Sequence, residues 1–264
     1  MEVVQVEDAT LLTRRDGEPS ARPLVLVNAL GTDLRVWDRL VRYLADRFFV
    51  VRYDMRGQGL STIGDAPLDP VGLARDLAQL MDQLDTGPAV VCGIELGALA
   101  ALALSRERPE LATALVLVSA GCRIETAAYW HEHQRRAAEH GLSDLADETM
   151  AAWLPRAFRA QRTGETTIWR NMFLRTPLAG YVAGCGALAA GDVTTPAREV
   201  HVPTLVLSGT ALSGARRAAA RHLATTIPNA TAANVTDAGL LPHVAQPAPF
   251  AAAFLAFLEH HGLE

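Results

Sequence analysis

The pentapeptide Gly93-Ile94-Glu95-Leu96-Gly97 puts a carboxylate at the centre of a Gly-x-nucleophile-x-Gly frame. It falls between an apolar run over residues 88–94 that reads as a buried strand and a helical segment that starts at residue 96. In such an elbow the central residue sits on a strained strand-to-helix turn, and small neighbours let the backbone pass close by. A serine at the centre would attack a carbonyl carbon, with a base to take its proton and a third group to orient the base. A glutamate can instead take up a proton and return it within one turnover. An apolar pocket would favour the neutral acid and the helix N-terminus the carboxylate, so the sequence leaves both protonation states open.

The elements that must hold this residue follow from the pattern of the chain. Apolar runs over residues 23–30, 48–54, 88–94, 114–119 and 203–208 read as buried strands, and residues 34–46, 71–84 and 96–106 have helical spacing. That alternation predicts an α/β fold with a mostly parallel, doubly wound sheet, and residues 2–6 and 9–13 are expected to form an opening hairpin. The alternation stops over residues 120–200, which are helical in character and concentrate Tyr129, Trp130, Trp153, Phe158, Trp169, Phe173 and Tyr181. This stretch is expected to be a helical cap over the sheet's carboxyl edge, where open α/β sheets bind ligands. The expected organisation is thus a core of residues 1–119 and 201–264 with a cap of residues 120–200.

Composition narrows the classes of partner. The chain has 264 residues, a formal charge of −5 and interspersed acids and arginines, without the basic stripe of a nucleic-acid binder. No apolar stretch reaches the roughly 18 residues of a membrane span, and the start MEVVQVED has acids where a signal peptide has cations, so a cytoplasmic location is expected. Cys92, Cys122 and Cys185 show neither a disulfide framework nor a metal spacing; no metal and no cofactor is expected. All 24 basic residues are arginine, which removes lysine Schiff-base chemistry. The expected partner is a small-molecule substrate, with at most a second copy of the chain in a homodimer.

The motifs resemble the α/β-hydrolase superfamily, and within it the 3-oxoadipate enol-lactonases. The segment Asn28-Ala29-Leu30-Gly31-Thr32-Asp33-Leu34-Arg35-Val36-Trp37 is similar to the oxyanion-loop segment of those lactonases. Arg52-Tyr53-Asp54-Met55-Arg56-Gly57-Gln58-Gly59-Leu60-Ser61 is similar to their Tyr-Asp-x-Arg-Gly-His-Gly-x-Ser turn, in which Asp54 and Arg56 are expected to stabilise the loop. Cys122 to Trp130 resembles the start of their lid, and Gly180-Tyr181 with Cys185 to Leu188 its end. The resemblance implies an α/β-hydrolase fold and two amide donors for an oxyanion, the backbone N–H groups of Leu30 and Leu96.

The departures from the family's pattern fall on the chemistry. Glu95 stands at the family's serine position, Leu212 at that of the triad acid and Leu240 at that of the histidine; His243 lies three residues beyond the last. Glu95 is therefore the candidate catalytic residue. Asn28, Arg123, Trp130, Leu212, Leu240 and His243 are the candidate substrate contacts, and His131 and His133 are expected at the surface. The leading expectation is a non-hydrolytic enzyme acting on a small apolar or aromatic, polyketide-like molecule: a cyclase, lyase, decarboxylase or isomerase of bacterial secondary metabolism. Two alternatives stand beside it: an inactive pseudo-hydrolase that binds a ligand or partner, and a lactone or ester hydrolase with an unusual site built on Glu95. A carboxylate that folds back into the oxyanion hole would make the site inert.

Overall fold

The computed structural model describes residues 2–264. Two strands, β1 (Glu2–Val6) and β2 (Ala9–Asp16), form an antiparallel hairpin. Then come β3 (Arg22–Val27), a 3-10 turn at Leu34–Trp37, α1 (Asp38–Leu44), β4 (Phe48–Tyr53), α2 (Pro70–Gln83), β5 (Ala89–Ile94), α3 (Leu96–Glu107) and β6 (Ala112–Val118). Six helices follow before the next strand: α4 (Ala127–His140), α5 (Ala146–Trp153), α6 (Arg156–Gln161), α7 (Thr163–Leu174), α8 (Leu178–Ala190) and α9 (Thr194–Arg198). The chain closes with β7 (Thr204–Gly209), α10 (Gly214–Thr226), β8 (Thr231–Val235), α11 (Pro242–Ala245) and α12 (Pro247–His260).

The strands form one eight-stranded sheet in the order β1-β2-β4-β3-β5-β6-β7-β8, with β3 to β8 parallel and the hairpin antiparallel at one edge. The inner strands are largely apolar because helices cover both faces; every residue of β4, β5 and β7 is buried, including Arg52 of β4, which is paired with Asp16 and Asp38. Helix starts are set by side-chain caps at Asp69, Thr126 and Ser213, each accepting a hydrogen bond from a backbone N–H of the first turn. Beyond residue 209 the sequence reading assigns no elements; α10 and α12 are alanine-rich and β8 is largely exposed. Among the described residues no helix is long and apolar enough to cross a membrane.

Several conspicuous polar residues serve the framework. Asp54 accepts from the amides of Leu34 (2.7 Å) and Leu60 (2.8 Å), and Arg56 grips Asp76 through two 2.7 Å bonds, so this turn is tied at both ends. Two expectations for the site are corrected here. Asn28 donates to the Tyr53 carbonyl (2.9 Å) and accepts from the Trp37 indole (2.7 Å), both of its polar groups being spent on pinning β3 to β4 and the turn. His243 is fully buried against Trp37, with ring centroids 4.6 Å apart, and its Nε2–H donates to the Val36 carbonyl at 3.1 Å.

Burial pushes the His243 imidazole down from 6.5 to about 3, so it stays neutral while an unfolded chain takes up the proton. Folding stability therefore falls as pH drops from 6.5 towards about 3, by about 1.4 kcal/mol per pH unit for this group. Asp54 acts in the opposite sense, because burial raises it from 3.8 to about 6 and protonation there favours the folded chain. The prediction is thus a difference: chemical denaturation across this pH range should show a shallower acid loss in His243→Phe than in the parent. Parallel curves would show that the histidine is not held neutral.

Candidate functional site

Gly93 is the next-to-last residue of β5 and Gly97 the second residue of α3, and neither tolerates a side chain. A Cβ on Gly93 would lie 2.3 Å from the Gly97 carbonyl oxygen, and one on Gly97 would lie 2.4 Å from that of Val27 and 2.5 Å from that of Asn28. The two glycines let the helix start directly against β3, fastened by Gly97 N–H to the Asn28 carbonyl and Glu95 N–H to the Val118 carbonyl, each at 3.1 Å. The residue between them turns the chain from strand to helix at φ 50° and ψ −108°, a conformation that costs a non-glycine residue about 1–3 kcal/mol. Glu95 is that residue, and it is 3% exposed.

Its carboxylate does not cap α3. One oxygen accepts from the Arg216 guanidinium at 2.7 Å, so the charge points across to α10 rather than back into the amides of the helix start. This removes the self-blocking arrangement in which Glu95 would occupy an oxyanion site. Arg216 is 7% exposed, also reaches Glu125 at 3.1 Å, and stands over the Trp130 ring at 5.6 Å. Burial works against the Arg216 charge, yet Glu95 and then Tyr129 and Glu125 hold its pKa above the ordinary arginine value. The Ser213 hydroxyl caps the same first turn by accepting from the Arg216 amide, which fixes where the guanidinium begins.

A cavity of about 30 Å³ lies against this pair. A water requires at least ~10–15 Å³ on the same measure, so the space suits a water and not an organic substrate. Leu30, Glu95, Arg216 and Leu240 line it from the core, and Trp130, Trp153 and Tyr181 from the helices between β6 and β7. Burial pushes the neighbouring Tyr129 phenol up to about 12, leaving it a neutral hydrogen-bonding group at ordinary pH. Leu96 is the first residue of α3, so its N–H has no acceptor within the helix. Helix α8 rests on both candidate donor residues: at Gly184, a Cβ would lie 2.4 Å from the Leu30 side chain and 3.5 Å from that of Leu96.

Glu95, Leu30, Trp130 and Leu240 thus meet around one cavity, with Leu96 adjoining. The other sequence candidates do not line it. Arg123 is exposed and paired with Asp192 at 2.6 Å, because the turn before α4 aims it outward. Leu212 is buried outside the cavity, in the turn after β7, and Asn28 and His243 belong to the core as described. His133, expected at the surface, is buried on the inner face of α4; it hydrogen-bonds the Tyr129 carbonyl at 3.0 Å and lies 3.3 Å from Glu148. His131 is exposed, as expected. The residue the sequence reading passed over is Arg216: nothing in Gly214-Ala215-Arg216-Arg217 separates it from its neighbours except the preceding serine cap.

Because both charges are buried, removing one strands the other. Arg216→Met should destabilise the protein by about 3–5 kcal/mol, and adding Glu95→Gln should recover most of that loss. Urea unfolding of the two single variants and the double variant measures the coupling; additive losses would refute a direct buried pair.

The matches to known proteins run along this same frame. Residues 22–227 match the family model for the alpha/beta hydrolase fold. The chain is 26% identical over 249 residues to 3-oxoadipate enol-lactonase 2 of Acinetobacter baylyi, covering 94% of this chain and 93% of the relative. It is 30% identical over 203 residues to 3-oxoadipate enol-lactonase 1 of the same organism, covering 76% of each. The crystal structure of the enol-lactonase from Burkholderia xenovorans LB400 superimposes with a TM-score of 0.93 at 30% identity, over 98% of this chain and 100% of that one. The sheet order, the glycine-bounded elbow and the agreement along nearly the whole chain make this protein a member of the α/β-hydrolase family.

Proposed function

We propose that the protein acts on the carbonyl group of a small lactone- or ester-like molecule, with Glu95 as the group that moves the proton. The observation that carries this reading is the position of Glu95: a buried carboxylate on the strained elbow, facing a cavity with room for a water. The likeness to enol-lactonases supports a lactone carbonyl as the reacting group. Arg216 holds the carboxylate in place.

In the hydrolytic course, Glu95 takes a proton from water as the water oxygen bonds to the carbonyl carbon. The carbonyl electron pair moves onto oxygen, where the N–H groups of Leu30 and Leu96 receive it. Collapse of that intermediate breaks the bond to the ring oxygen, which leaves with the proton returned by Glu95. Atoms and charge balance without a serine ester, so neither Leu212 nor Leu240 has to act. The cavity as it stands is too small for such a substrate, so binding requires the side chains that close it, Trp130, Trp153 and Tyr181 among them, to give way.

One observation favours a second reading. The group beside Glu95 is a guanidinium, which stays charged and cannot take up a proton, rather than an imidazole; Glu95 alone would then carry the proton to and from carbon next to a carbonyl, as in an isomerase, lyase or cyclase. Incubation with enol-lactones and simple lactones separates the courses. Hydrolysis incorporates heavy oxygen from labelled water, and isomerisation incorporates only deuterium from deuterium oxide. Tight binding without either would support a pseudo-hydrolase. Glu95→Gln should lower the rate of turnover about 100-fold or more; full activity in that variant would remove Glu95 from the chemistry.

A further inference from the structure

Away from Glu95, two cavities meet along the seam between the core and α7. One, of about 390 Å³, is lined by Arg35, Arg39 and Arg42 from the core and by Ile168, Trp169 and Arg175 from the other side. The second, of about 430 Å³, is lined by Leu12, Leu34, Leu60, Asp54, Met172 and Thr176, among others. Arg35, Met172 and Arg175 belong to both, so the two spaces adjoin at those residues. Neither shares a residue with the cavity at Glu95.

The charges of the first space are unevenly matched. Arg35 is paired with Asp33 and Arg39 with Glu165, and the lining acid Asp38 is held by Arg52. Among the described residues Arg42 and Arg175 have no acidic partner, leaving two free guanidiniums on one cavity in a chain of formal charge −5. Water-exposed apolar side chains mark the same seam: Ile168 is 62% exposed at the first cavity and Leu60 is 81% exposed at the second. Cavities of a few hundred Å³ with a few convergent polar groups are the usual form of small-molecule sites.

We propose that this seam is a second binding site, for an amphiphilic organic dianion: a phosphate monoester headgroup on the two free arginines and an apolar stem running past Met172 towards Leu60. Two unpaired cations match a dianion rather than a monocarboxylate, and the planar guanidinium fork suits phosphate oxygens. The stem covers apolar surface that otherwise stays in water. The ligand spans both sides of the seam, since Arg42 is on α1 and Arg175 directly follows α7.

Calorimetric titration at pH 8 with hexyl phosphate, inorganic phosphate, hexanoate and hexanol tests the site on the parent protein. Hexyl phosphate should bind saturably and more tightly than the other three. Arg42→Ala/Arg175→Ala should weaken it at least ~10-fold, while the charge-matched control Arg14→Ala/Arg135→Ala leaves it within ~2-fold. Leu60→Ser should weaken hexyl phosphate and leave inorganic phosphate unchanged. Absence of saturable binding, hexanoate binding as tightly as hexyl phosphate, or undiminished affinity in the Arg42/Arg175 variant would each overturn the proposal. Both arginines are exposed, and thermal melting of the variants checks that the fold is kept; the four-ligand ranking on the parent decides the matter without them.

Discussion

A carboxylate taken out of water must meet a positive charge or give up its own, and Glu95 meets Arg216. The elbow makes that demand unavoidable. Its glycines bring β3, β5 and α3 close together, and the helices that carry Trp130, Trp153 and Tyr181 cover the central side chain. The partner arrives from a distant part of the sequence, on the first turn of α10, where the serine cap fixes its origin and Glu125 and the Trp130 face take up the rest of its surface. The pair therefore joins the sheet, the last helical layer and the helices between β6 and β7 at one point.

The same pair sets the state of the site. With Glu95 turned to Arg216, the start of α3 is left uncapped by side chains, and what remains in front of it is a space suited to water. Trp130, Trp153 and Tyr181 close that space from above, so the aromatic content of residues 120–200 is spent chiefly on sealing. His133 with Glu148 supplies a second polar cluster on the inner wall, from a helix expected to keep its histidines outside. The seam carrying Arg42 and Arg175 shares no residue with that space, and there apolar side chains and unpaired charge coexist at the surface.

Much of this fold was legible in the chain. The strands over residues 48–54, 88–94 and 203–208 are largely apolar runs because a sheet covered on both faces buries most of its side chains, and the structure places β4, β5 and β7 within a residue of them at each end. The elbow was legible because two glycines at fixed spacing are a steric requirement of the backbone. The segment at residues 34–46 was less so: it divides into a 3-10 turn, started by the Asp33 side chain, and a short helix that follows directly.

Local pattern determined which residue stands at the elbow, that it carries a carboxylate, and that a parallel sheet delivers it to the carboxyl edge. Only the tertiary structure decided what that carboxylate touches. Arg216 is separated from Glu95 by 121 residues and is one arginine among many, while His243 and Asn28 look like site residues and are consumed by Trp37, Val36 and Tyr53. Periodicity and backbone sterics are properties of neighbouring residues and so can be read along the chain. The pairing of buried charges and the spending of buried polar groups depend on which distant surfaces are pressed together, and these are settled only when the core closes.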